Sequence, residues 1–329
     1  MELKLPNYDI NQIEKIVEIL ESKKFFVISS HINIDGDAVG SEIALYILLK
    51  KLNKKVEVIN QDQLPSLFRF LPYSQKIKIF EEKEKYKNFE VAIVVDCGSL
   101  ERIGEVKKII KNIPFIINID HHLTNSEFGN INWVNPSFSS CGEMVYFICK
   151  KLSKIDKKQA ISLYASIIYD TCCFLHRLSK YTMDIAKCLI DKNIHPEKIA
   201  QKLFFEKPIK SVNLFKMALD TLKFSKNRKI CFMKVKKDFF KKTKTKEENT
   251  EGFVEYLISI KGVEVGVLLK ERENGVKVSL RSKGKIDVES IAKKFGGGGH
   301  REASGCFLEN KNMEEVEKII VKELEWMEF

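Results

Sequence analysis

Three short apolar runs in this chain each end on groups that bind protons and metal ions. Phe25–Ser30 leads into His31-Ile32-Asn33-Ile34-Asp35-Gly36-Asp37, Val91–Val95 ends on Asp96, and Phe115–Ile119 ends on Asp120-His121-His122. Runs of this length, rich in β-branched residues, read as strands buried on both faces, as in a parallel sheet covered by helices. Open α/β sheets bind ligands beyond the carboxyl ends of their strands. Three separate stretches would therefore deliver carboxylates and imidazoles to one rim of one sheet. Hard oxygen donors mixed with a few imidazoles suit a pair of divalent cations such as Mn²⁺.

Each cluster also has a plainer reading. His31, Asp35 and Asp37 lie on a strand-to-helix turn, where an N-cap accounts for one acid but not for both. Asp96 alone reads as an N-cap or a turn residue and gains weight only from its company. Asp120-His121-His122 is more specific, because three ionisable groups after a buried strand are costly unless paired or metal-bound. Asp120 suits a carboxylate that orients a ligating imidazole. Asp170 follows the helical stretch Lys157–Tyr169, where an acid opposes the helix dipole and a cation would compensate. Farther on, Gly296-Gly297-Gly298-Gly299-His300 spends four glycines in succession. That is entropically expensive, and it would allow an amide concavity for an anion, with His300 donating to a phosphate oxygen. The plainer reading is a hairpin or a helix cap. Arg281, in Val278-Ser279-Leu280-Arg281-Ser282, reads as a phosphate fork or as a rim salt bridge.

The elements that must position these groups follow from the spacing. Ala38–Leu52 carries apolar residues at helical period, Lys55–Asn60 returns as a strand, and Ser139–Leu152 and Lys157–Tyr169 read as helices, with Ser139 or Ser140 as N-cap. Alternation of this kind predicts an α/β doubly wound parallel sheet. Tyr181 to Leu222 is mostly helical, punctuated by Pro196 and Pro208. Beyond it, Ile230–Val235, Val263–Lys270 and Gly275–Arg281 read as strands, with a turn at Glu273-Asn274-Gly275. Ile286–Phe295 is a helix, Cys306–Leu308 a last strand and Met313–Met327 a closing amphipathic helix. The expected organisation is a metal-binding domain over 1–190, a helical connector over 191–222 and a smaller α+β domain over 223–329, with the active site in the cleft between domains.

At 329 residues the chain is long enough for two cores, and its apolar content is that of a packed protein. No apolar run approaches the roughly 20 residues that cross a bilayer, and Met1–Asn11 has no secretory pattern, so a cytoplasmic location is expected. The net charge of +11 is spread along the chain, mostly as Lys, and reads as a compositional bias that still favours anionic substrates. Its densest stretch, Lys234–Lys246 with Phe239 and Phe240, is a solvated face or a phosphate-attracting patch. The eight cysteines form no C-x-x-C pair, which argues against zinc or iron–sulfur sites and for reduced, buried thiols.

Taken in order, these motifs resemble the DHH phosphoesterase superfamily with its associated C-terminal domain. His31 to Ser41 is similar to the first motif, Asp96-Cys97-Gly98 to the second, Asp120-His121-His122 to the third and Asp170-Thr171 to the fourth. Ser279–Ser282 and Gly296–His300, followed by Ala303-Ser304-Gly305, are similar to the C-terminal signature. Ile34 stands where a proline is common, and Cys172 where a glycine usually follows the fourth motif. The resemblance implies that His31, Asp35 and Asp96 hold one Mn²⁺, and that Asp37, Asp96, His121 and Asp170 hold a second, with Mg²⁺ or Co²⁺ as substitutes. It further implies that His122 faces the scissile phosphate, that Asp120 supports the histidines, and that Ser279, Arg281, Gly296, Gly297, Gly298, Gly299 and His300 grip another part of the substrate.

Within that superfamily the second-domain motif of family II pyrophosphatases is absent. So are the added modules of RecJ-type exonucleases and the membrane segments of cyclic dinucleotide hydrolases. The remaining match is the compact nanoRNase type, whose substrates are short RNA or DNA oligonucleotides, pAp, pApA or cyclic di-AMP, with no membrane partner and with a homodimer allowed. Two other readings compete. One is a nucleotide-binding regulator without catalysis, which has no need of an intact set of metal ligands. The other is a processive RecJ-like exonuclease, which would need aromatic platforms for which Phe239 and Phe240 are the candidates.

Overall fold

The computed structural model describes residues 4–83, 86 and 88–325, which divide into two compact units, Met1–Glu206 and Lys207–Phe329. In the first unit six strands are parallel: β1 (Phe25–Ser29), β2 (Lys55–Asn60), β3 (Ile77–Ile79), β4 (Val91–Val95), β5 (Phe115–Asp120) and β6 (Ile131–Val134). Their order is β3-β2-β1-β4-β5-β6, so the winding reverses between β1 and β4. Such a reversal splays the connections apart and leaves a crevice at the carboxyl ends of those two strands. His31 follows β1 and Asp96 follows β4. The topology therefore opens its crevice between two of the groups the sequence singled out.

Alternation along the strands sends Phe26, Ile28, Ile93, Val95, Ile117 and Ile119 to one face and Val27, Ala92 and Val94 to the other. The first face carries α1 (Asn7–Ser22), α2 (Gly36–Lys51), α4 (Cys141–Leu152) and α5 (Lys157–Asp170); the second is covered by the short α3 (Lys107–Ile110) and the 3₁₀ turns before it. Helix α2 is apolar on nearly every side because the sheet lies beneath it and α5 above it. Gly40 makes that contact close, since a Cβ there would fall 2.4 Å from the Ser162 carbonyl. The first residues of α2 and the last of α5 thereby meet over the crevice. Helices α6 (Thr182–Ile190) and α7 (Pro196–Ala200) complete this unit.

The helical stretch 191–222 is divided: α7 belongs to the first unit, while α8 (Ile209–Leu219) packs on the sheet of the second. That sheet is mixed, in the order β11-β12-β10-β9-β8-β7. It comprises β7 (Lys223–Phe224), β8 (Ile230–Val235), β9 (Val265–Arg272), β10 (Gly275–Ser282), β11 (Gly298–His300) and β12 (Ala303–Glu309). All pairs are antiparallel except β8 with β9. Gly275 pairs with Arg272, so Glu273-Asn274 is a two-residue hairpin loop, where the sequence placed a turn. One face packs on α8, α9 (Lys237–Thr243) and α10 (Phe253–Ser259), the other on α11 (Val288–Lys294) and α12 (Met313–Glu325). The last two residues of the helix expected over Met313–Met327 lie outside the described residues. Among the described residues no helix is long and apolar enough to cross a membrane.

Candidate metal centre

Asp35 is the N-cap of α2, so the plainer reading of this motif holds for one of its oxygens. Its Oδ1 accepts from the Asp37 and Ala38 amides at 3.0 and 3.1 Å, while Oδ2 lies 3.8 Å from His31 Nε2. Asp37, in the first turn of α2, is buried and held from across the fold. The Cys141 amide donates to its Oδ2 at 2.7 Å, and the Gly142 amide donates to its Oδ1 at 3.0 Å. These are the first amides of α4, the end of a helix that favours a negative charge. Ser140 caps the same helix by accepting from the Glu143 amide.

Asp96 lies between the two histidines. Its Oδ2 is 3.5 Å from His31 Nε2 and its Oδ1 is 3.5 Å from His121 Nε2. His121 Nε2 is also 3.5 Å from Asp37 Oδ2 and 3.7 Å from Asp170 Oδ2. Two of the groups whose donor atoms lie within 4.8 Å of one another are His31 with Asp35 and Asp96, and Asp37 with Asp96 and His121. Asp96 belongs to both. Its φ of +52° is left-handed, a conformation that aims the carboxylate off the strand end and that short polar residues tolerate best.

Asp120 does different work. Its Oδ1 accepts from His122 Nδ1 at 2.7 Å and from the His121 amide at 2.9 Å, and its Oδ2 accepts from Asn125 Nδ2 at 2.6 Å. With both oxygens engaged, it acts by fixing the orientation and tautomer of His122. Burial pushes the Asp120 carboxyl up, but the field and hydrogen bond of His122 outweigh it and leave the value below normal.

The electrostatics describe a negative hollow. Burial and the neighbouring Asp96 raise Asp35 to about 6 and hold Asp37 well above the carboxylate range. Burial alone would lower the imidazoles, yet their bonds to Asp96 and the adjacent carboxylates raise His31 to about 9 and His121 to about 10. For Asp96, burial is overcome by His121 and His31, which hold it well below normal. Without cations, protons gather where positive charge is wanted. Divalent ions would replace those protons, since imidazole and carboxylate ligate in their deprotonated forms. The donor set fits such ions.

The sequence motifs left several supporting residues unnamed. Arg177 donates to both Asp170 oxygens at 3.2 Å. Glu42 is fully buried in α2 and accepts from Asn60 Nδ2 at 2.9 Å, while its other oxygen has no hydrogen-bond partner. Asn60 ends β2, and a polar residue at a buried strand end was the signal that picked out Asp96. Cys172, Cys173 and Phe174 are left-handed in succession, with φ of 46°, 59° and 67°. That explains why a glycine suits the place of Cys172: its side chain makes this turn costly.

In the second unit the glycine run is more structural than its composition suggested. Gly296 follows α11 at φ +69°, and the Gly296 and Gly297 amides donate to the Lys293 and Ala292 carbonyls, which is a Schellman cap. A Cβ on Gly297 would fall 2.1 Å from the Gly305 carbonyl, and one on Gly299 2.4 Å from that of Ala303. Only Gly298 faces open space within the β11 hairpin. Arg281 Nε donates to Glu255 Oε1 at 2.9 Å, the rim ion pair that was its plainer reading. Ser279 lies on the same face of β10, two residues away. Phe239 and Phe240 pack against the core instead of forming a platform. Cys97, Cys141, Cys149, Cys231 and Cys306 are buried thiols.

Comparison with known proteins agrees with this arrangement. The model of the DHH family, N-terminal domain, matches residues 25–170, and that of the DHHA1 domain matches 227–326. Curated relatives include the bifunctional oligoribonuclease and PAP phosphatase NrnA of Thermus thermophilus, 29% identical over 88% of this chain and 86% of that protein. The Bacillus subtilis protein of the same name is 28% identical over 86% and 88%. Among solved structures, an exopolyphosphatase-related protein from Bacteroides fragilis is 29% identical, with a TM-score of 0.89 over 96% of both chains. RecJ of Thermus thermophilus, at 12% identity and a TM-score of 0.52, shares the fold over 53% of its own length. With its strand-end carboxylates and histidines in the first unit and its glycine hairpin in the second, the chain belongs to the DHH family of hydrolases and carries a DHHA1 domain.

Proposed function

We propose that this protein is a divalent-metal phosphoesterase acting on short oligonucleotides and on small nucleotides such as pAp, pApA or cyclic di-AMP. The observation that carries the reading is the place of Asp96, 3.5 Å from His31 on one side and 3.5 Å from His121 on the other. His31, Asp35 and Asp96 would hold one cation, and Asp37, Asp96, His121 and Asp170 the other. Two such ions, Mn²⁺ by preference with Mg²⁺ or Co²⁺ as substitutes, would supply an ionised water at neutral pH and would neutralise phosphoryl charge. His122, oriented by Asp120, is the group proposed to give a proton to the leaving oxygen. Arg281, Ser279, His300 and the hairpin Gly296–Gly299 are proposed to hold another phosphate or a terminal nucleotide. The names of the curated relatives support the substrate class, and the packing of Phe239 and Phe240 weighs against a long-strand exonuclease.

A product-resolved assay of a short RNA, pAp, pApA and cyclic di-AMP, in Mn²⁺ and in Mg²⁺, tests the proposal. Turnover of at least one substrate is expected, falling by about 10² or more in Asp120→Ala and in His121→Ala. Undiminished activity in either purified variant refutes the assignment. Saturable nucleotide binding with no product would instead favour a regulator.

A further inference from the structure

On the face of the second sheet that carries Arg281, α8, α9 and α10 cover β8 and β9, burying Cys231, Met233, Val235 and Leu268. Across β10, β12 and β11 the same face presents three rows that the pairing register fixes. The first is Arg281, Ala303 and His300; the second is Ser279, Gly305 and Gly298; the third is Lys277 and Phe307. Strand β11 pairs with β12 only from His300 back to Gly298, so no strand continues beyond Phe307. Phe307 is 38% exposed, whereas its neighbours Cys306 and Leu308 point into the opposite core. Its ring belongs to neither of the buried clusters of this unit.

The rows differ in chemistry. The first offers a guanidinium and an imidazole. The second is small throughout, and a side chain on Gly298 would meet nothing, so a flat group can lie against the backbone there. The third pairs an aromatic face with an ammonium. Lys277 and Arg272 share the carboxylate of Glu247 with Lys270, which burial lowers to about 7, so two full cations at this end meet that one acid. Four residues of strand separate Phe307 from the first row, about 13 Å, or several base steps at about 3.4 Å each. Single strands are bound by aromatic faces that stack bases beside cations that follow the backbone.

We propose that this face is an extended nucleotide track in which Phe307 stacks a base of a single-stranded oligonucleotide several positions from the phosphate held at Arg281 and His300, with Lys277 beside its backbone. This rests on the nucleotide reading above and adds a length preference to it. A five-residue RNA reaches Phe307; pAp does not.

The test compares wild type, Phe307→Ala and Phe307→Tyr on a five-residue RNA and on pAp in Mn²⁺. For Phe307→Ala the KM for the pentamer should rise roughly five- to tenfold, the low end for one stacked base, with kcat unchanged. Both constants for pAp should stay at wild-type values, and Phe307→Tyr should restore the pentamer KM. Equal pentamer KM in wild type and Phe307→Ala, or an equal loss on pAp, overturns the track. Fluorescence anisotropy of end-labelled pentamer in metal-free buffer separates this from failure of the phosphoesterase reading. If wild type turns over neither substrate, the enzyme assignment falls. The track still stands or falls on whether Phe307→Ala weakens pentamer binding by the same factor, and absence of binding to wild type also overturns it.

Discussion

Glu42 illustrates what a single side chain costs in this molecule. It is fully buried, burial raises its carboxyl to about 8 against the opposing bond from Asn60 and field of His31, and its second oxygen has no hydrogen-bond partner. The folded value lies above the unfolded value of about 4.3, so the folded state binds the extra proton across that interval. The penalty for ionising Glu42 is absent below the unfolded value, grows as pH rises and is complete above about 8. Metal-free protein should therefore lose stability between about pH 4.3 and about pH 8, and Glu42→Gln should flatten that part of the curve. Thermal melts at several pH values check this, and an unchanged slope in the variant would refute it. Glu42 was invisible in the sequence because its setting depends on Asn60, brought beside it from another strand. Arg177 escaped for a similar reason: nothing in the spacing says that its guanidinium turns back onto Asp170.

At the scale of elements, the strand ends were legible because contrast in composition marks them. Val91–Val95 is wholly apolar and Asp96 is not, and the observed strand has those bounds. The crevice followed from parallel topology, which the alternation of strands and helices already implied. The glycine run was read less fully, because composition cannot separate a backbone that must turn from one that must approach a neighbour. The structure separates them. Gly297→Ala places a Cβ 2.1 Å from a carbonyl oxygen of the adjoining strand, and should cost about 1–3 kcal/mol or more. Gly298→Ala meets nothing and should leave the melting temperature within a degree or two of wild type. Equal destabilisation by the two substitutions would contradict the assigned roles. The helix over Asn7–Ser22, whose Ile13, Ile16 and Leu20 are buried, and strand β6, whose Trp133 donates to Asp9, carried no chemical signal and went unread.

For the whole molecule, the decisive fact is that every proposed metal ligand belongs to one compact unit and the glycine hairpin to the other. Each unit has its own core, so each can have its own stability. Calorimetry should resolve two unfolding transitions, and Mn²⁺ should move one of them. A ligand at a hundred times its Kd adds about 2.7 kcal/mol to the state that binds it, or several degrees for a unit of about 200 residues. Chelation should return that transition to its starting point while the other stays in place. Equal shifts in both would mean that the units unfold together.

The left-handed backbone at Asp96 has a consequence for how this protein can change. Few residues sit comfortably at φ +52°, and asparagine is the nearest in both shape and conformational taste to the one present. Exchanging one oxygen for an amino group would therefore leave the fold almost undisturbed while taking a donor oxygen from one of the two proposed cation sites. At this position a single conservative replacement would separate loss of the proposed metal chemistry from loss of the fold.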